Sequence, residues 1–236
     1  MTDARIELDN IVGWGIVHDV FEAEEASTIL TLVGQHAGAI NEATFGAYFG
    51  SLQRILGKSL ILAVARMYES EKGYALRSIP AAFKHLECHC EELQINDRHA
   101  MLRAVRKLGQ DDSSIKDAPD SVLTLATVRA FSTRFVALQT VAGAAIKTTR
   151  DKVIAHHEFV DVATLPKATY AEIDELIEFA RNFVALVGRA YTNVVYDGAD
   201  GRYSLTSDAE RSSVCLKRLL SAAGVSLTAE PPTDEV

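Results

Sequence analysis

The stretch TTRDKVIAHHEF, residues 148–159, contains residue types that together can cleave a phosphodiester. Arg150 is followed by Asp151, and His156 and His157 come six and seven residues after the arginine. A guanidinium is always charged, and its planar set of donors matches a phosphate group. A histidine gives or takes a proton near neutral pH. The arginine would stabilise charge on phosphorus and the histidine would handle the proton, without a metal ion.

The geometry of the helix decides which histidine faces the arginine. At about 100° per residue, a regular helix puts Arg150 and His157 on one face, two turns apart, and points His156 elsewhere. Fraying or a bend after Val153 makes His156 equally suitable. Asp151 is placed to orient a histidine or an arginine, including one from another chain. A simpler interpretation is also open, because cations are ordinarily favoured at the C-terminal end of a helix by its dipole.

A second candidate for phosphate binding is the tripeptide Gly57-Lys58-Ser59. A phosphate-binding loop requires a glycine five places before Gly57, and Leu52 stands there instead. The surrounding residues predict a helix with no preceding strand. We therefore interpret Lys58 as a solvent-facing side chain on a core helix.

A third candidate is a metal half-site in HLECHC, residues 85–90. On a helix, His85 and His89 lie four residues apart with Cys88 between them on the same face. A closed zinc site needs further ligands, and the sequence has no second paired cluster. We favour the interpretation that Cys88, Cys90 and the two histidines are ordinary surface and core neighbours, and we predict no metal.

A basic stripe follows on the predicted helix 96–109. Such a stripe can meet a nucleic-acid backbone, but charged runs are more often a solvated face. Its members are His99, Arg103, Arg106 and Lys107.

Helical periodicity dominates the elements that must position these residues. No stretch alternates with period two for long enough to predict a sheet, although 158–163 and 202–206 are short enough to be extended pieces. Two helix starts are indicated, one by Ser78 with Pro80 in the first turn and one by the capping-box pattern of Thr169 and Glu172. Helices are predicted over 4–36 with a break near Gly13–Gly15, 44–70 ending by Gly73, 78 to about 94, 97–108 ending at Gly109, 121–157, 169–196 and 208–222, with the loop 110–120 between the fourth and fifth.

The predicted fold is therefore all-α, with a core helix bundle from about residue 40 to 196 and an appended C-terminal helix. The chain has 236 residues, of which 48% are hydrophobic, so it can bury a sizeable core. Its formal charge of −8 means that any nucleic-acid site must be a local basic patch. Three cysteines, no apolar signal core at the N-terminus and an apolar stretch at 60–68 too short to span a bilayer predict a cytoplasmic protein with no membrane association.

The arginine–histidine pattern resembles the HEPN family (higher eukaryotes and prokaryotes nucleotide-binding). These helical bundles carry an arginine, usually a polar residue after it, and a histidine after four to six intervening residues. Here R-D-K-V-I-A-H contains Arg150, Asp151 and His156 after five, and His157 fits with six. The stretches LGKSLILAVARMYE (56–69), GYALRSIPAAFKHL (73–86) and RDKVIAHHEF (150–159) together are similar to the abortive-infection branch, and the similarity covers about residues 10–196.

This resemblance implies an antiparallel HEPN-like helix bundle over residues 1–196. Residues 197–236 would add a turn-rich segment, a short helix and a polar tail. It also implies a metal-independent endoribonuclease, without cofactors, of a toxin–antitoxin or abortive-infection system. Two chains would pair to form one composite cleft, in which the ribose 2′-OH of an RNA substrate is the nucleophile, and an antitoxin protein would be a further partner.

The resemblance also implies a role for each residue of the motif. Arg150 would bind the scissile phosphate, His156 would transfer the proton and Asp151 would orient them. The family pattern favours His156, whereas regular helix geometry favours His157. Other family members are inactive binding or scaffolding modules, so the alternative function is a non-catalytic helical module that binds a nucleotide or a protein.

Overall fold

The computed structural model describes residues 3–70, 75–155, 164–196 and 204–227, and within these ranges the regular structure is helical. The described residues contain no β-strand, which confirms the all-α prediction. The α-helices are α1 (Ala4–Ile11), α2 (Val17–Gln35), α3 (Ala37–Glu42), α4 (Gly46–Tyr68), α5 (Ile79–Cys88), α6 (Arg98–Lys107), α7 (Asp120–Leu138), α8 (Ala144–Thr149), α9 (Tyr170–Val187) and α10 (Ser204–Ala222).

Several of these helices continue through short π-helical segments. A π-helical turn bonds each N–H to the carbonyl five residues back, so it takes in one residue more than an α-helical turn. The described segments are Val12–Ile16 between α1 and α2, Gln139–Gly143 between α7 and α8, Arg150–Ala155 after α8, and Gly188–Thr192 after α9. The break predicted near Gly13–Gly15 is therefore a π-helical segment in a continuous helical path.

The predicted helix starts are confirmed by their side-chain caps. The Ser78 hydroxyl accepts a hydrogen bond from the Ala81 backbone N–H at 3.4 Å, and Pro80 lies in the first turn of α5. Thr169 and Glu172 form both hydrogen bonds of a capping box at the start of α9. These local patterns work because cap residues satisfy backbone donors that have no partner inside the helix.

Some predicted ends are wrong. The helix predicted from 78 to about 94 ends at Cys88, because His89 leaves helical geometry and residues 89–92 form a turn. The extended piece proposed at 202–206 is wrong from Ser204 onward, because α10 begins there. The alternative piece at 158–163, Gly73 and the polar tail 228–236 lie outside the described residues.

One main apolar core joins α1, α2 and α4–α9. Leu8, Ile16 and Val20 are fully buried in it, so the N-terminal helices belong to the bundle and the predicted start near residue 40 is too late. A group of aromatic rings lies at its centre: Tyr68, Phe83, Phe131, Phe135, Phe179 and Phe183.

A smaller apolar cluster connects α10 to the end of the bundle formed by α2, α3 and α4. Its buried members are Val33, Ile40, Phe49, Leu220 and Val225. Polar contacts extend this attachment toward the start of α10. Thr206 donates to Glu24 at 3.2 Å, and Glu24 also accepts from Arg181 at 2.8 Å. These contacts explain why α10 starts earlier than its own periodicity predicted.

Helix α7 is long and apolar enough, by length and composition alone, to cross a membrane. A single helix of this kind is weak evidence, because core helices meet the same criteria. Its inner side chains Leu123, Val128 and Phe131 are buried in the main core. Only 39% of the most apolar 18-residue stretch of α7 is buried, so apolar side chains also face outward.

Candidate active site

Arg150 is the first residue of the π-helical segment that follows α8. Both α8 and this segment pack against α4. The Arg150 side chain is 17% exposed, so the guanidinium is mostly buried but reaches the surface on one side. A short polar ligand can therefore approach it from solvent.

Two carboxylates hold the guanidinium. Arg150 Nη1 donates to Glu69 Oε2 at 2.8 Å, and Arg150 Nε donates to Asp151 Oδ1 at 2.7 Å. Burial alone would lower the pKa of Arg150, but the hydrogen bonds to Asp151 and Glu69 outweigh it and the pKa is raised. The guanidinium therefore remains charged and its plane is oriented.

The guanidinium lines a small cleft of about 90 Å³ between the end of α4, the segment Gln139–Gly143 and α8. Gln139 Nε2 donates to the Tyr68 carbonyl at 3.1 Å, and the Tyr68 hydroxyl donates to the Leu176 carbonyl at 2.7 Å. These bonds fix the backbone that precedes Glu69. Burial raises the pKa of Tyr68 well above its ordinary value, so its phenol stays protonated and serves as a structural donor.

Lys147 lies one turn before Arg150 and lines the same cleft with an exposed side chain. Two cations three residues apart on one helical face are suited to a polyanionic backbone. Sequence reasoning missed Lys147, although its spacing from Arg150 was a usable signal. It also missed Glu69, because Glu69 lies 81 residues from Arg150 in the chain and no local pattern connects the two.

The two candidate histidines, His156 and His157, lie outside the described residues. The comparison of His156 with His157 assumed a regular α-helix after Arg150. The segment Arg150–Ala155 is instead π-helical. The argument that regular geometry favours His157 therefore no longer holds. Asp151 orients Arg150 of its own chain.

The metal half-site is not assembled in the described part of the chain. His85 is buried and its Nε2 donates to the Ala4 carbonyl at 2.7 Å, which takes one ring nitrogen away from a metal. Cys88 is exposed. Among the residues that the structure describes, no three histidine, cysteine or carboxylate side chains come together in a metal-binding arrangement.

The remaining alternatives fit ordinary structural roles. Lys58 is exposed on α4, and the Ser59 hydroxyl bonds to Glu22, so the tripeptide 57–59 is part of a helix as predicted. In the basic stripe, Arg106 forms a 3.0 Å ion pair with Asp112.

The family model of the AbiU2 HEPN domain matches residues 6–211, most of the chain and all the described elements from α2 to α9. The chain belongs to the HEPN family. The HEPN_AbiU2 match makes it an abortive-infection-associated defence module. Comparisons with curated proteins and with solved structures gave no match.

In this HEPN domain, the family match includes every described residue of the cleft. It ends inside α10, so the attachment of α10 to α2 is partly outside the matched range. The arginine of the motif is thus placed in a cleft by helices that the family model covers.

Proposed function

We propose that this HEPN protein is a metal-independent endoribonuclease of a bacterial defence system. The observation that carries the proposal is the placement of Arg150, a charged and oriented guanidinium at the open edge of a cleft that Lys147 shares. Such an arrangement is suited to stabilising a phosphorane-like transition state, since preorganised donors act on charge as it develops. An antitoxin protein is the proposed partner that would restrain the activity.

The proposed reaction is attack by the ribose 2′-OH on the adjacent phosphorus. The 2′ oxygen forms a bond to phosphorus while the bond to the 5′ oxygen breaks, leaving a cyclic phosphate and a 5′-hydroxyl end. Arg150 would bind the phosphate oxygens, and His156, with His157 as the second choice, would transfer the proton. Asp151 would hold the arginine plane.

We further propose that two chains form the cleft together. Helix α7 leads through Gln139–Gly143 into α8 and Arg150, and its outer face exposes apolar side chains. At about 100° per residue, Val122, Leu125 and Val136 lie within about 60° of one another on that face. These exposed apolar side chains, with the exposed Arg129 between them on the same face, support pairing close to Arg150.

A non-catalytic binding module is the second candidate, and the two carboxylates around Arg150 favour it. An arginine held by Glu69 and Asp151 also fits a purely structural ion pair. In that case the domain would bind a nucleotide or a protein through another surface.

RNA cleavage in the presence of a chelator tests the endoribonuclease proposal. Wild-type protein should cleave, and Arg150→Ala should lower the rate about 10²- to 10³-fold, the loss typical when one charge-stabilising donor is removed. His156→Ala should cost more than His157→Ala if His156 is the proton-transfer residue. Arg211→Ala, which removes an arginine from an exposed ion pair on α10 outside the cleft, is the control and should cleave normally.

The same assay separates the two candidates. A DNA strand of the same sequence lacks the 2′-OH nucleophile and should resist cleavage. Absence of cleavage by folded wild-type protein across several RNAs would favour the binding module.

A further inference from the structure

The carboxylates around Arg150 occupy the positions that a phosphate would need. A guanidinium presents two edges to an oxyanion, each offering a pair of N–H donors. Glu69 takes the Nη1 donor on one edge, at 2.8 Å, and Asp151 takes the Nε donor on the other, at 2.7 Å. A phosphate that binds either edge through two hydrogen bonds must share it with a carboxylate or replace one.

The charges make sharing unfavourable. Glu69 and Asp151 carry two negative charges against the single positive charge of Arg150. The Arg150 and Glu69 side chains are only 17% and 24% exposed, so water and salt screen this repulsion less than at an open surface. An incoming phosphodiester is therefore favoured if one carboxylate withdraws.

Glu69 is better placed to withdraw than Asp151. Asp151 directly follows Arg150 in the same π-helical segment, so its backbone stays beside the guanidinium even though its side chain is 39% exposed. Glu69 directly follows Tyr68, the last residue of α4, and its backbone is extended, with φ −73° and ψ 132°. Its side chain is 24% exposed and can rotate toward solvent without breaking a helical hydrogen bond.

We infer that Glu69 is a built-in competitor for the phosphate site, holding Arg150 in place until an RNA phosphate exchanges with it. The inference rests on the proposed function, because it assigns the anion that Arg150 receives. It makes Glu69 a positioning residue that sets how tightly RNA binds. The chain thus keeps its arginine oriented at the expense of phosphate affinity.

Binding of an uncleavable probe tests this exchange. The probe is a single-stranded RNA oligonucleotide with every 2′-hydroxyl methylated, which has no 2′-OH nucleophile, and binding is followed by fluorescence anisotropy with full-length protein at low salt. Glu69→Gln keeps an oxygen acceptor for Arg150 but removes the charge. It should tighten the Kd about tenfold, the size expected for one close charge pair.

Two controls separate competition from a general change in charge. Asp208→Asn removes one negative charge from a carboxylate that pairs with Arg211 on α10, outside the cleft and the basic stripe, and should leave the Kd within about twofold. Combining Glu69→Gln with Arg150→Ala should abolish the tightening, because the effect requires the guanidinium. A role of Glu69 in folding alone would not produce this dependence on Arg150.

The outcome does not depend on catalysis. If wild-type protein cleaves no RNA but Glu69→Gln binds the probe more tightly, the exchange stands and the endoribonuclease proposal fails. If folded Glu69→Gln binds equally or less tightly than wild type, the exchange is overturned. Should Glu69→Gln not fold, Glu69→Ala is measured in its place with the same expectation and the same decisive result.

Discussion

The charge on Arg150 is matched by groups from two distant parts of the chain. Asp151 is its neighbour, whereas Glu69 arrives from the end of α4. The position of Glu69 depends on Tyr68, whose hydroxyl bonds to the Leu176 carbonyl and whose own carbonyl accepts from Gln139. A buried aromatic residue of the core thus determines where a carboxylate of the site stands.

Tyr68→Phe tests this connection at the scale of one hydroxyl. The substitution leaves the buried Leu176 carbonyl without its 2.7 Å partner, so the free energy of unfolding should fall by about 1–2 kcal/mol in urea denaturation. Tyr48→Phe, at an exposed tyrosine, should change it by less than about 0.5 kcal/mol. Equal stability of the Tyr68→Phe variant and wild type would show that the hydrogen bond from Tyr68 to the Leu176 carbonyl does not stabilise the packing of α4.

At the scale of elements, the π-helical segments determine how the residues of one helix are positioned relative to those of the next. Arg150–Ala155 changes the register of the residues that follow Arg150, and Val12–Ile16 joins α1 to α2. In the second segment, Gly15 lies against the backbone before α5. A Cβ at Gly15 would lie 2.2 Å from Arg77 Cβ and 2.9 Å from the Arg77 carbonyl oxygen. The close approach of the two segments therefore requires glycine.

Gly15→Ala should destabilise the protein, because the new methyl group meets Arg77 backbone and Cβ atoms that cannot move away cheaply. We expect a loss of about 1–3 kcal/mol in thermal or urea unfolding, the usual cost of overpacking. Gly34→Ala in α2 is the matched control, because its Cβ meets nothing within 4 Å. It should stabilise the protein by about 0.5–1 kcal/mol through helix propensity. Stabilisation by both substitutions would contradict the close approach at Gly15.

At the scale of the whole molecule, helix α7 exposes several apolar side chains on its outer face, with Arg129 among them. Helix α7 buries Leu123, Val128 and Phe131, yet Val136 is 60% exposed. Because α7 runs on toward Arg150, a second copy packed on this face would bring its own motif near the first. This is the physical basis of the proposed homodimer.

Val136→Lys places a charge on the proposed interface and should weaken dimerisation about tenfold or more, because a buried unpaired charge is costly. Sedimentation velocity over a range of protein concentrations measures it. Ile55→Lys is the control, since Ile55 is an aliphatic residue with 65% exposure on α4 and lies outside this face. A wild-type protein that stays monomeric at all concentrations would rule out the homodimer, and equal effects of both variants would place the interface elsewhere.

The sequence by itself determined the all-α class, the caps at Ser78 and Thr169, and the arginine–histidine motif with its family. These features are local, because helical periodicity, capping and motif spacing depend on residues within a few turns of each other. The end of α5 and the start of α10 were predicted less well. At the start of α10, the side chain of Thr206 finds its partner Glu24 far away in the chain, and such a partner leaves no local pattern.

Only the tertiary structure decided the surroundings of Arg150. The pairing with Glu69 joins residues 81 positions apart, and it exists because α4 and α8 pack side by side. The π-helical register after Arg150 was likewise absent from a sequence argument based on about 100° per residue. The sequence therefore named the arginine, and the packing of helices decided which anions hold it, since long-range contacts depend on the whole core rather than on neighbouring residues.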